Sequence, residues 1–152
     1  MKNEKYREAL FIVTYRRAKN IFGKEKIKYL VLRRHLHWVG WEFPKGGVEG
    51  NEIDLEVVGR ELLEETGQSG FNIQKYRHSG RYKYKEKLED RKEYVGQTYT
   101  LFSAEIKNHK IEIDKKEHSS YKWVSFKKAE KLLTWKNQKK GLEIVNKNLV
   151  GR

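Results

Sequence analysis

The chain has 152 residues, with 34 Lys and Arg against 21 Asp and Glu, a formal net charge of +13 and no Cys. That length fits one domain over residues 1–152 with a real core, and the missing cysteines exclude disulfides and thiolate metal sites. No apolar run approaches the roughly 20 residues of a membrane span; the positive surplus by itself favours nucleotides, nucleic acid or an acidic membrane surface, and of these a nucleotide or RNA partner is expected, with no membrane.

Behind the polar start Met1 to Glu8 there is no apolar core of a signal peptide, and a cytoplasmic location is expected. Ala9 to Tyr15 and Ile27 to Leu32 are apolar, β-branched and aromatic runs, which predict strands joined by a turn around Asn20 to Lys24. Trp41-Glu42-Phe43-Pro44 predicts a short extended piece, because the residue before a proline is pushed out of the helical region. Glu52 to Glu65 predicts a helix with Asn51 as its N-cap. At about 100° per residue, Leu55, Val58 and Leu62 share one stripe for burial, and Gly67 stands where a helix-ending glycine is expected.

Phe71 to Ile106 reads mostly as strand, with alternation in Tyr82-Lys83-Tyr84 and in Thr98 to Phe102. Tyr121 to Val124 predicts a last strand, and Lys127 to Leu133 and Asn137 to Leu149 predict two closing helices. Strands with helices interspersed, but without regular βα alternation, predict an α+β fold built on a mixed sheet.

The chemistry concentrates between Gly46 and Gly67. Gly46 is followed after five residues by Glu52, and after seven more by Arg60-Glu61-Leu62-Leu63-Glu64-Glu65-Thr66-Gly67. On a helix Glu61, Glu64 and Glu65 fall within an arc of about 100°. Three like charges that close repel unless cations sit between them, and oxygen ligands with partial hydration suit Mg²⁺ or Mn²⁺. Arg60 is placed to orient a carboxylate, and Glu52 to pair with Arg60 or to complement the helix dipole. Multiplying the chain's own Gly, Glu and Arg frequencies puts the chance occurrence of the whole spaced set at roughly one in a hundred thousand. A merely solvated Glu-rich face is therefore a poor explanation.

The set resembles the Nudix box, matching it at Gly46, Glu52, Arg60, Glu61, Leu62, Glu64, Glu65 and Gly67. Gln68 departs from it, standing where the family usually has an aliphatic residue, and puts local packing rather than activity in doubt. The resemblance implies an α/β/α sandwich and hydrolysis of a nucleoside diphosphate linked to another group. It also implies two or three Mg²⁺ or Mn²⁺ ions on Glu61, Glu64 and Glu65, with the Gly46 carbonyl as a further ligand. Glu61, Glu64 and Arg60 form the expected catalytic set, and the general base is open between Glu61, Glu64 and a more distant Glu.

Trp41 to Gly47 is similar to the Trp-x-Phe-Pro-Lys-Gly segment of diadenosine tetraphosphate hydrolases and bacterial RNA 5′-pyrophosphohydrolases, which makes Lys45 a phosphate-contacting cation. Gly96-Gln97 resembles a segment of the same groups, and Glu117 matches a loop Glu that joins their metal site. The ending from Leu132 to Lys140 looks like the tetraphosphate hydrolase C-terminus. Tyr82, Tyr84 and Tyr121 are candidates to stack on a base, with Tyr84 and Tyr121 the preferred pair. Arg81, Lys83, Lys85 and Arg91 are candidates for a polyphosphate groove, and His118 is given no role. The leading expectation is cleavage of diadenosine tetraphosphate to ATP and AMP by a monomer or homodimer. The alternatives are removal of pyrophosphate from RNA 5′ ends and a non-catalytic nucleotide or RNA sensor.

Overall fold

The computed structural model describes residues 3–151. In chain order these form β1 (Tyr6–Arg7), β2 (Ala9–Lys19), β3 (Glu25–Arg34), β4 (Gly40–Glu42), β5 (Lys45–Gly47), α1 (Asp54–Thr66), β6 (Phe71–Lys83), β7 (Gly96–Glu105), β8 (His118–Val124), α2 (Phe126–Leu132) and α3 (Lys136–Val150). Among the described residues eight strands make one mixed sheet, with β1-β7-β2-β3-β4 as its path and β5, β6 and β8 attached to β2, β7 and β3. β2 runs parallel to β7 and antiparallel to β3 and β5. The α+β expectation and the α/β/α layering are both met.

The layering follows from side-chain alternation along buried strands. On β2, Phe11, Val13 and Tyr15 enter the core beneath α2 and α3, where they meet Ala129, Leu133, Leu142 and Val145. Leu10 and Ile12 face the other way, into the core beneath α1, with Val57, Val58 and Leu62. Both faces of β2 are covered, which is why its sequence is a continuous apolar run rather than an alternating one.

Two features of α1 differ from expectation. The helix begins at Asp54 with Ile53 as its N-cap, because the Glu52 side chain is drawn away to Arg60 and to the Glu49 N–H, which donates to Glu52 Oε1 at 2.9 Å. Glu56 Oε1 accepts from the Ile53 N–H at 3.0 Å and satisfies one orphan donor. The buried stripe is centred on Val58 and Glu65 and takes in Val57 and Glu61, which leaves Leu55 at its margin and 57 % exposed. Gly67 closes the helix in the left-handed region (φ 81°), its N–H bonded to the Leu63 carbonyl. The stretch Phe71 to Ile106, expected to be mostly strand, holds β6 and β7, separated by a segment that carries a 3₁₀ turn at Glu89–Arg91. No helix among the described residues is long and apolar enough to cross a membrane.

Candidate metal and phosphate site

β5 and α1 meet at one point. A Cβ added to Gly46 would fall inside the Glu61 carboxylate, so only glycine lets the loop and the helix approach this closely. One turn on, Glu65 Oε2 accepts the Lys45 N–H at 3.0 Å, while Glu65 Oε1 is buried with no partner. Glu61 and Glu65 are 8 % and 2 % exposed, so the helix directs two of its three spaced carboxylates inward. Burial pushes the Glu61 carboxyl up to about 7; Arg60 opposes this, and Glu64 and Glu117 add to it. Burial, then Glu42, Glu61 and Glu117, push Glu65 well above the carboxylate range. A carboxylate cluster this uncomfortable is relieved by a cation.

Arg60 ties the cradle together. Its guanidinium donates to Glu52 at 2.8 and 2.9 Å, to Glu61 at 2.7 Å, to the Gly47 carbonyl at 2.8 Å and, weakly, to Glu64 at 3.5 Å. The planar fork fixes loop and helix at once, which an ammonium on a flexible stem would not do.

Opposite the helix stands a buried charge network. Glu42, on β4, is fully buried; its Oε2 is hydrogen-bonded to Arg34 at 3.0 Å and His118 at 2.8 Å, and its Oε1 forms an ion pair with Lys45 Nζ at 3.3 Å. Burial alone would raise this carboxyl, yet Lys45, His118 and Arg34 together hold it down at about 2. Arg34 also lies 3.9 Å from Glu117. Arg34, Lys45, Arg7 and Arg91 line a cavity of about 150 Å³ together with Gly46, Glu49, Glu61, Glu64, Glu65, Asp114 and Glu117. Burial, then Arg91, lower the Arg7 guanidinium, the mark of a cation facing its like. Carboxylates on one wall and cations on another suit a metal-bound polyphosphate.

The structure therefore brings Lys45, Gly46, Glu61, Glu64, Glu65 and Glu117 around one cavity, with Arg60 behind them. Tyr84 stands beside it, its hydroxyl donating to Gln97 Oε1 at 2.9 Å, where Arg91 also donates at 3.2 Å. Tyr121 is not brought to this cavity: on β8 it packs, partly buried, against the core beneath α1. Of the groove candidates, Arg91 reaches the cavity, whereas Arg81 covers Tyr6 and Lys83 pairs with Glu4 at 2.9 Å.

Sequence reasoning missed Arg7, Arg34, Glu42 and Asp114. The available signal was Glu42, a lone charge among Trp41, Phe43 and Pro44. It also missed an aromatic pair: Trp38 lies 6.0 Å from the Arg34 guanidinium and 5.8 Å from Lys45 Nζ, and meets Trp135 edge-on at 5.1 Å. The residues present fit a hard divalent cation, since the donors are oxygens, Gly46 opens a cradle that a Cβ would fill, and Glu65 Oε1 is an orphan.

Residues 6–143 match the NUDIX domain family. The chain is 31% identical over 121 residues to the asymmetrical bis(5′-nucleosyl)-tetraphosphatase of Mus musculus, covering 77% of each chain. It is also 31% identical over 108 residues to the RNA pyrophosphohydrolase of a Nitratiruptor species, covering 68% of this chain and 70% of the relative. Among solved structures, a C. elegans Ap4A hydrolase superposes with a TM-score of 0.73 at 22% identity, over 96% of this chain and 99% of the other, a likeness of fold.

Proposed function

The chain belongs to the Nudix hydrolase family, and from that premise we propose that it is a metal-dependent pyrophosphohydrolase of dinucleoside polyphosphates, cleaving diadenosine tetraphosphate to ATP and AMP by attack of water on phosphorus. The observation that carries this reading is the cavity in which Arg7, Arg34, Lys45 and Arg91 face the Glu61, Glu64, Glu65 and Glu117 carboxylates. The carboxylates, with the Gly46 carbonyl, would hold Mg²⁺ or Mn²⁺. Such a cation neutralises phosphate oxygens and acidifies water.

The chain's own residues do the rest. Arg60 fixes the direction of Glu61 and tethers the loop through the Gly47 carbonyl. Lys45 and Arg34, held by Glu42, supply positive charge to the phosphates. A carboxylate of the cluster takes the proton of the attacking water. The Trp38–Trp135 pair, beside Arg34 and Lys45, offers a face for a base attached to those phosphates. It replaces Tyr121 in that role, and Tyr84 remains beside the pocket, bonded to Gln97.

The second reading, removal of pyrophosphate from RNA 5′ ends, is favoured by the net charge of +13 and the RNA pyrophosphohydrolase relative. Product analysis with Mg²⁺ or Mn²⁺, offering diadenosine tetraphosphate and triphosphorylated RNA side by side, separates the two. ATP plus AMP with untouched RNA is the expected result. Pyrophosphate from RNA alone establishes the second reading, and no turnover of either overturns both.

A further inference from the structure

His118 is the fully buried histidine next to Glu117, and its surroundings are unusual. It sits on β8 opposite Arg34 of β3, and β4 brings Glu42 to the other edge of β3, so the two strands flanking β3 deliver an imidazole and a carboxylate to one spot. His118 Nε2 lies 2.8 Å from Glu42 Oε2. Glu42 is itself clamped by Arg34 and Lys45 and can only accept, so Nε2 carries the ring hydrogen. The other nitrogen, Nδ1, is buried and without a partner; in the neutral ring it carries a free lone pair. A buried polar atom without a hydrogen bond is costly, and two more, Glu42 Oε1 and Glu65 Oε1, belong to the same site.

A ring nitrogen of His118 and carboxylate oxygens of Glu65 and Glu117 all lie within 4.8 Å of one another. Ligands at roughly 2.1 Å from one ion are about 3.0 Å apart when adjacent and about 4.2 Å apart when opposite, so the three would draw inward to close on a cation. An imidazole whose far N–H is given to a fixed carboxylate is the arrangement in which histidine binds metals, the carboxylate setting the tautomer and raising ligand basicity.

We propose that His118 supplies a nitrogen ligand to one divalent cation of this site, shared with Glu65 and Glu117 and oriented by Glu42. The inference rests on the metal-dependent reading above and divides the site in two. The Glu61–Glu64 side offers oxygen ligands only, while the Glu65–Glu117–His118 side takes a softer ion, favouring Mn²⁺ or Co²⁺ over Mg²⁺. Glu42 acts here as a positioning residue, through the imidazole.

The test is pulsed electron paramagnetic resonance of the full chain loaded with Mn²⁺. The wild-type protein shows modulation from a directly coordinated ¹⁴N, and His118→Gln loses it. Glu42→Gln keeps the coupling but weakens Mn²⁺ binding by about 10–100-fold, with Mg²⁺ binding less affected. Absence of nitrogen coupling in the wild-type protein overturns the proposal without recourse to any variant, as does an unchanged coupling in a folded His118→Gln protein. Turnover of diadenosine tetraphosphate, followed in parallel, keeps the two levels apart. Turnover without nitrogen coupling overturns the ligand and leaves the hydrolase reading standing. Nitrogen coupling without turnover of any nucleotide supports the ligand and overturns the hydrolase reading.

Discussion

Glu64 and Lys45 illustrate how differently two residues of one cavity depend on their surroundings. The Glu64 side chain is 54 % exposed and meets Arg60 only at 3.5 Å, so little of the fold leans on it. Glu64→Gln is expected to leave the melting temperature unchanged while lowering turnover about a hundredfold or more, since several kcal/mol of charge stabilisation depend on that carboxylate. Steady-state kinetics near wild type would remove Glu64 from the metal set. Lys45 has a 14 % exposed side chain, paired with buried Glu42 at 3.3 Å. Lys45→Ala is expected to raise KM for the nucleotide roughly tenfold, the worth of a charge-assisted hydrogen bond. It is also expected to lower thermal stability, because Glu42 loses one of the cations that hold it charged. Unchanged KM would confine Lys45 to a structural role.

At the scale of elements, α3 lies so close to β2 that a Cβ on Gly141 would stand 2.7 Å from the Phe11 ring and 3.1 Å from Leu101. Gly141→Ala is expected to cost about 1–3 kcal/mol by overpacking, outweighing the ~1 kcal/mol that alanine contributes in a helix. Urea denaturation measures this, and a stabilised variant would mean that α3 packs less tightly than described. The elements were largely readable in the sequence because α1 and α3 bury apolar residues at a helical period and β2 is a continuous apolar, β-branched and aromatic run. The start of α1 was not, because a tertiary pair, Glu52 with Arg60, overrides local capping preference. β1 and β5 are two and three residues long, too short for any periodicity to show.

The site divided in the same way. The carboxylate cradle was legible because Glu61, Glu64, Glu65 and Arg60 belong to one helix and Gly46 to β5, the short strand before it. The cationic wall was not, since Arg7, Arg34 and Arg91 come from separate strands and a turn, and only sheet register brings them together. Tyr121 misled because alternation shows that a strand has two faces without showing which one meets the pocket.

Across the whole molecule the buried carboxylates pull stability in opposite directions with pH. Glu61 has a folded value of about 7, above its ordinary 4.5, so the folded protein takes up that proton before the unfolded chain does, and stability rises as pH falls from about 7 to about 4.5. Glu65 acts in the same sense. Glu42, held at about 2, does the reverse: its contribution is present above 4.5 and is lost as pH falls from there through about 2. Chelator-treated protein is therefore expected to melt highest near pH 5 and lower at pH 8, and Mg²⁺ or Mn²⁺ should flatten that difference by neutralising the cluster. A flat profile without metal would contradict the repulsion described. The change of partner along β2, from β5 at Ala9–Phe11 to β3 at Tyr15–Lys19, bears on how such a protein diversifies. At the changeover the Ile12 N–H grips the Pro44 carbonyl at 2.8 Å, so the loop leading to Gly46 is anchored to the central strand. Trp38, Trp135 and Arg91 lie on connecting segments outside the regular elements or at the turn between β6 and β7. On the proposed hydrolase reading, exchanges there would retune which cargo is held while the carboxylate cradle stays in register, so that recognition and reaction can drift at different speeds in one small domain.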